Sequence, residues 1–227
     1  MTKKKIENQY KEKINQLIKY NKDYYEYSNP TVEDREYDKL KKEILELEKR
    51  YSFLTSENSP SKLVGFKPSK NFKKVSHKVP MLSLANAFDK EDLINFEKKI
   101  INYLDEKKDF KIEYSAEPKI DGISASIIYI NGEFSVGLSR GDGQEGEDIT
   151  ENLKTIKDIP KKIKFKNFPE EIHIRGEVFI QNSDFKKLSS KFANPRNAAS
   201  GSLRQKNPNE TKKIPLKFIA YTFGYEK

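Results

Sequence analysis

The spacing of apolar residues changes period partway along this chain, and that change limits the folds open to it. Through residues 4–28, Ile6, Tyr10, Ile14, Leu17 and Tyr24 recur near every 3.6 residues, with Ile18 and Tyr25 widening the stripe. That pattern predicts an amphipathic helix, and Asn29-Pro30 ends it. Thr31, with Asp34 three positions on, is expected to cap a second helix carrying Tyr37, Leu40, Ile44 and Leu47. A joint this tight implies an antiparallel pair. A stretch rich in Ser, Pro, Asn and Gly follows from Ser52 to Lys78 and reads as a connector. Asp89 and Asp92 cap a third predicted helix with Leu93, Phe96, Ile100 and Leu104 on one face.

Beyond it the period drops to two. Strands are predicted over 111–117 and 123–130, and Asn131-Gly132 is the strongest short hairpin signal, with 133–140 as the return strand. A helix is expected from Glu147 to Lys157 before Pro160, then a strand over 171–180. A short helix capped by Ser183 and a last strand over 216–223 follow. The run Phe192–Arg204 reads as helix-poor. The fold class is therefore α+β: a small helical N-terminal domain, 1–66, ahead of an antiparallel domain, 67–227.

Composition narrows the chemistry. The chain has 227 residues and no cysteine, which excludes disulfides, thiolate zinc sites and a cysteine nucleophile from it. Two histidines leave no room for a histidine-rich metal site. The net charge of +9 suits a polyanionic partner, although lysines spread over a solvated surface give the same total. No apolar run is long enough to span a membrane, and a Lys-rich start without an apolar core is not a secretory signal, so a cytoplasmic protein without a membrane partner is expected.

The densest chemical signal is Glu117-Pro118-Lys119-Ile120-Asp121-Gly122. A lysine between acids at a Gly-containing turn fits a nucleophile, and equally a salt-bridged surface turn. Arg140-Gly141-Asp142-Gly143 offers a guanidinium fork beside glycines that let a ligand approach the backbone. Arg175-Gly176-Glu177 puts an acid on a strand, and Phe192–Arg204 carries small residues with Arg196 and Arg204.

Taken in order, these segments resemble the N-terminal part of bacterial NAD-dependent DNA ligases. Lys119-Ile120-Asp121-Gly122 is similar to the family's nucleotidyltransferase motif. Three later family stretches match Arg140–Gly143, Arg175–Val178 and Phe192–Arg204, with Ser200 standing where alanine is usual. His77–Leu84, including Ser83 and Leu84, with Asn86-Ala87-Phe88 resembles the approach to the adenylation domain's first helix. Tyr24, Tyr25, Asp34, Tyr37 and Asp38 match the helical domain peculiar to the NAD-dependent branch.

The resemblance implies that Lys119 attacks the adenylyl phosphorus of NAD and that Asp121 orients it and helps place Mg2+ or Mn2+. It implies that Glu117 recognises adenine, that Arg140 contacts ribose or phosphate, and that Glu177 holds the ribose hydroxyls. Ser83 and Leu84 fall with the nucleotide-binding residues. Tyr24, Tyr25, Asp34, Tyr37 and Asp38 would clasp the nicotinamide mononucleotide half; Tyr24 and Tyr37 also lie on apolar stripes, where a core role is equally open. Arg196 and Arg204 would contact DNA or nucleotide. The implied activity is sealing of nicks in duplex DNA, in replication and repair, by a monomer.

Two later lysine-bearing stretches of the family are absent, as are its OB-fold, zinc, helix-hairpin-helix and BRCT modules. The sequence therefore reads as part of a longer enzyme, with zinc only in that other part and with weak or no self-adenylation by this chain alone. The alternatives are an ATP-dependent covalent nucleotidyltransferase, against which the helical module speaks, and a non-catalytic nucleotide- or DNA-binding module.

Overall fold

A computed structural model describes residues 3–25, 31–60, 62, 72–107, 110–188, 192 and 194–227, with the side chains of Tyr24, Tyr25 and Asp34 outside that description. The expected boundary at 66/67 also lies outside it. Helix α1 spans Lys3–Tyr25 and α2 spans Asp34–Arg50. Ile6, Tyr10, Ile14 and Leu17 bury against Leu40, Ile44 and Leu54. The pairing is antiparallel: Tyr10 donates to Glu48 at 2.6 Å, Lys13 meets Glu43 at 2.6 Å, and Tyr37 donates to Asn21 at 2.8 Å. Thr31 does not cap α2. Glu33 holds the N-cap position without a side-chain bond, and the Thr31 hydroxyl donates instead to Asp23 at 2.9 Å.

Strand β1 (Lys74–Ser76) pairs antiparallel with β4 (Glu145–Glu147). The main sheet has the order β3-β2-β5-β6, antiparallel throughout, with β2 at Ile123–Ile130, β3 at Glu133–Ser139, β5 at Glu171–Ile180 and β6 at Leu216–Glu226. The β2–β3 hairpin forms where Asn131-Gly132 predicts it, with φ of 49° and 79° at the two turn residues. A Cβ on Gly132 would also lie 2.4 Å from the Ile163 carbonyl oxygen. Alternation along β2 turns Ala125, Ile127 and Tyr129 into the core beside Val178 and Ile180 of β5. Burial pushes the Tyr129 phenol up to about 12, and its hydroxyl donates to the Pro160 carbonyl at 2.7 Å.

Several expected elements take other forms. Residues 111–117 form no strand and no helix. The helix expected over Glu147–Lys157 shrinks to α4, Thr150–Leu153, because Glu147 is held in the β1–β4 ladder opposite Lys74. Its apolar residues Ile149, Leu153 and Ile156 still reach the core, through turns. Helix α5 (Asn182–Phe185) takes Gln181, not Ser183, as its N-cap. The run read as helix-poor contains α6, Pro195–Leu203. Asn194 accepts from the Asn197 amide at 2.7 Å and Pro195 opens the first turn, so a pair that signals a turn here starts a helix. Helix α7 (Pro208–Lys212) follows. The Asn152 amide donates to the Gln205 carbonyl and to the Thr211 hydroxyl, both at 2.8 Å, and Thr211 donates to the Ser202 carbonyl, so α4, α6 and α7 are fixed together.

The chain divides into two compact units, residues 82–119 and the remainder. The smaller holds α3, Lys90–Tyr103, whose N-cap Asp89 accepts from the Asp92 amide as expected. The face expected to be buried is open: Leu93, Phe96 and Leu104 are at least half exposed, and Ile101 is the buried residue of this helix.

In the larger unit, His77 is buried beside the Arg140 carbonyl, with Nε2 3.2 Å from that oxygen. Only an N–H can use a carbonyl, so the neutral ring carries its proton on Nε2. Burial lowers the His77 pKa, the charges of Arg175 and His173 add to this, and the Arg140 and Ser139 carbonyls oppose it. Folding therefore favours the neutral ring. Its contribution to stability is complete above the unfolded value of about 6.5 and is lost as pH falls through the lower folded value. Melting temperature is expected to drop as pH falls below about 6.5, and His77→Gln to flatten that part of the profile. An unchanged profile in His77→Gln would remove His77 as the cause.

Candidate functional site

Five of the residues singled out from the sequence, Asp121, Arg140, Glu177, Arg196 and Arg204, lie where β2, β3, β5 and α6 meet in the larger unit. Gly122 leads into β2 against β5, and an added Cβ there would stand 2.2 Å from the Val178 carbonyl oxygen, so only glycine fits. Ser124 lies opposite Glu177 in the β2–β5 register, on the face away from Ala125 and Gly176, and its hydroxyl donates to Glu177 Oε2 at 2.8 Å. The same face of β6 carries Tyr221, which sequence reasoning missed. Partial burial raises the Tyr221 phenol and the Glu177 carboxylate adds to it, while a hydrogen bond with Ser124 and the charges of Arg175 and Arg140 lower it. Those influences place Ser124, Arg140, Arg175, Glu177 and Tyr221 in one neighbourhood.

A cavity beside this face is lined by Ser139, Arg140, Glu147, Arg196, Asn197 and Arg204, among others. It gathers the guanidinium-bearing residues expected to meet nucleotide or DNA. Glu147 is fully buried and pairs with Arg204 Nε at 3.1 Å. Arg196 Nη1 meets Asp121 Oδ1 at 2.9 Å, with most of the Asp121 side chain exposed. The Asn197 side chain is buried, and its Nδ2 has no hydrogen-bond partner among the described residues. Buried donors without a partner are rare, and one lining a cavity is available to a ligand oxygen. Arg175 serves the architecture, since it donates to the Val79 and Pro80 carbonyls and so fixes the segment after β1 to β5.

The smaller unit holds Ser83, Leu84, Glu117 and Lys119, all exposed. Ser115 donates to Glu117 at 3.3 Å, and Lys119 is the last residue before the larger unit resumes at Ile120. In the helical pair, Tyr24 and Tyr25 end α1 and Asp34 opens α2, with their side chains outside the described residues. Tyr37 packs on the α1–α2 cluster, and Asp38 is half-buried on α2.

Among the described residues no group of three or more His, Cys, Asp or Glu side chains could hold a metal ion. These residues do not build a protein-borne centre for the expected Mg2+ or Mn2+. No described helix is long and apolar enough to cross a membrane.

Comparison with known proteins shows the family of the chain. Residues 69–227 match the family model of the NAD-dependent DNA ligase adenylation domain, and residues 3–65 match the DNA ligase-like, N-terminal NAD+-binding domain. The chain belongs to the NAD-dependent DNA ligase family.

Among the relatives of this ligase family, a DNA ligase of Pelagibacter ubique is 67% identical over 227 residues, which is 100% of this chain and 34% of that protein. A DNA ligase of Parvibaculum lavamentivorans is 48% identical over 92% of this chain and 31% of its own length. One from Rickettsia bellii is 47% identical over 95% of this chain and 32% of its own. The chain spans about a third of the length of these ligases. The fold agrees with the family assignment: a small helical region precedes a mixed, antiparallel sheet domain.

Proposed function

We propose that this chain carries the adenylate-accepting half of a DNA ligase that uses NAD. The observation that carries the reading is the order of the two family matches: an NAD+-binding helical module stands directly ahead of an adenylation domain. Lys119 Nζ, once deprotonated, attacks the adenylyl phosphorus of NAD. A P–N bond forms, the P–O bond to nicotinamide mononucleotide breaks, and the mononucleotide leaves with the electron pair. The lysine–AMP then passes its adenylate to the 5′-phosphate of nicked duplex DNA. A neighbouring 3′-hydroxyl displaces AMP and seals the strand.

This transfer depends on positioning and on charge placed against the phosphate. The Ser124–Glu177 pair fits a ribose edge, since a carboxylate already oriented by one hydroxyl accepts from others. Arg140, Arg196 and Arg204 around the cavity supply positive charge, and Asn197 Nδ2 supplies a dry donor. Glu117 reads adenine, with Ser83 and Leu84 among the nucleotide contacts, and Asp121 orients Lys119. A bound divalent ion would add further charge neutralisation. Tyr24, Tyr25, Asp34, Tyr37 and Asp38 hold the departing mononucleotide, where aromatic faces and carboxylates suit its cationic ring. The protein works as a cytoplasmic monomer in replication and repair.

The helical module tests the reading. In a protein of the relatives' length, removing residues 1–50 is expected to abolish adenylation by NAD while sealing of a nick already carrying 5′-adenylate survives, because that step releases AMP and no nicotinamide mononucleotide. Asp38→Ala should lower NAD use selectively. Both reactions are followed on labelled nicked duplexes. Undiminished adenylation by NAD after the deletion would defeat the assignment. An ATP-driven reaction that ignores the deletion would favour the nucleotidyltransferase alternative.

A further inference from the structure

The loop between α4 and β5 crowds four lysines into the six residues 161–166. Lys154, Lys157, Lys161, Lys162, Lys164 and Lys166 stand against two acids, Asp158 and Glu170, a net +4 of the chain's +9. The site described above uses none of them. The loop is held in place by backbone bonds to the β2–β3 hairpin: the Phe134 amide donates to the Lys161 carbonyl at 3.0 Å, and the Ile163 amide to the Gly132 carbonyl at 2.7 Å. Ile163 and Phe168 pack on the core. Phe165, between them, stays 76% exposed.

Nearby acids are already engaged. Glu133 pairs with Lys162 at 2.7 Å, Glu170 with Lys227 at 3.2 Å, and Asp158 lies 3.8 Å from Lys217. Lys161, Lys164 and Lys166 are exposed and form no ion pair with a described acid. The surface therefore presents fixed positive charge around an aromatic ring, at the end of β2 opposite Ser124. That separation is about 20 Å, from the rise of a strand over the length of β2.

We infer that this loop is an auxiliary contact for the phosphodiester backbone of duplex DNA, separate from the nucleotide cavity. The inference rests on the reading of the protein as a DNA-joining enzyme. Lys161, Lys164 and Lys166 each neutralise a phosphate and release its counterion, while Phe165 rests on the sugar edge between them. Such contacts carry no sequence information. They raise the residence of the enzyme on any duplex and leave chemistry at Lys119 untouched.

Fluorescence anisotropy with a short labelled duplex, intact or nicked, tests this between 50 and 200 mM salt. The Lys161→Gln/Lys164→Gln/Lys166→Gln variant should bind about tenfold more weakly or worse at the low-salt end, with the slope of log affinity against log salt smaller by about 2 to 3. Phe165→Ala should weaken binding with the slope unchanged. A control that removes equal charge from the exposed side of α1, Lys4→Gln/Lys11→Gln/Lys19→Gln, should change binding little. Circular dichroism checks that all variants fold alike. Equal losses in patch and control variants would overturn the inference, as would a patch variant that binds like the parent or a parent that does not bind duplex. Patch-dependent binding to anionic vesicles in place of DNA would overturn it as well. Failure of the ligase reading registers separately, as absence of AMP on Lys119 in a protein of the relatives' length.

Discussion

Lys119→Arg, in a protein of the relatives' length, is expected to form no covalent adenylate with NAD. The loss should be at least about four orders of magnitude, the scale seen when a covalent nucleophile is deleted. The substitution keeps the charge, so the effect isolates nucleophilicity: a guanidinium stays protonated and delocalised and offers no lone pair to phosphorus. Lys119 is exposed at the end of its unit, where no packing depends on it, and the variant should fold normally. It should also retain NAD binding, since the proposed mononucleotide contacts lie on α1 and α2. Intact mass should show one added AMP per chain in the parent, acid-labile and mapped by peptides to Lys119. Adduct on another lysine, or full yield in Lys119→Arg, would sink the mechanism.

The second large effect is on stability. Arg204→Ala removes the guanidinium from Glu147, a fully buried carboxylate. Removing one member of a buried pair leaves charge in a poorly solvated place, and the expected loss is about 3 kcal/mol. A surface pair would lose at most about 1 kcal/mol. Urea unfolding should show a lower midpoint at unchanged slope. Adding Glu147→Gln to Arg204→Ala should restore part of the loss, because the buried charge goes with its partner. A shift no larger than that of a surface pair would show Glu147 to be hydrated or otherwise compensated.

How much of the fold is legible in the sequence follows how local each signal is. Asn131-Gly132 acts within a hairpin, and the alternation of 123–130 acts along one strand, so both elements appear where read. The Asp89–Asp92 cap is equally local. Asn194-Pro195 misleads because the same dipeptide suits a turn and a helix start; only the Asn197 amide bonding back to Asn194 separates them. Ile149, Leu153 and Ile156 share helical spacing, yet the ladder at Glu147 and the turns after Leu153 override it. Lys119, Asp121, Arg140, Glu177, Arg196 and Arg204 are visible through family likeness, on contiguous segments. Within the larger unit, Ser124, Tyr221, Glu147 and Asn197 join Asp121, Arg140, Glu177, Arg196 and Arg204 only by register and helix placement. Ser124 and Glu177 are 53 positions apart and become neighbours through β2–β5 pairing.

Strand β6 is one edge of the main sheet, and Leu216–Glu226 is long, free of proline and charged only at Lys217 and Glu226. Ile219, Tyr221 and Phe223 lie largely open along it. An apolar edge of that length is a template for another strand, and proteins usually blunt such edges with lysine, proline or a bulge. The two bulges in the β5–β6 ladder put their extra residues, Gly224 and Tyr221, on β6 itself, and leave Leu216–Ala220 as the regular stretch of its rim. Colloidal behaviour of this polypeptide in isolation is therefore governed less by its abundant lysines, which repel at long range and fade with salt, than by how well one rim is kept from meeting its own copy.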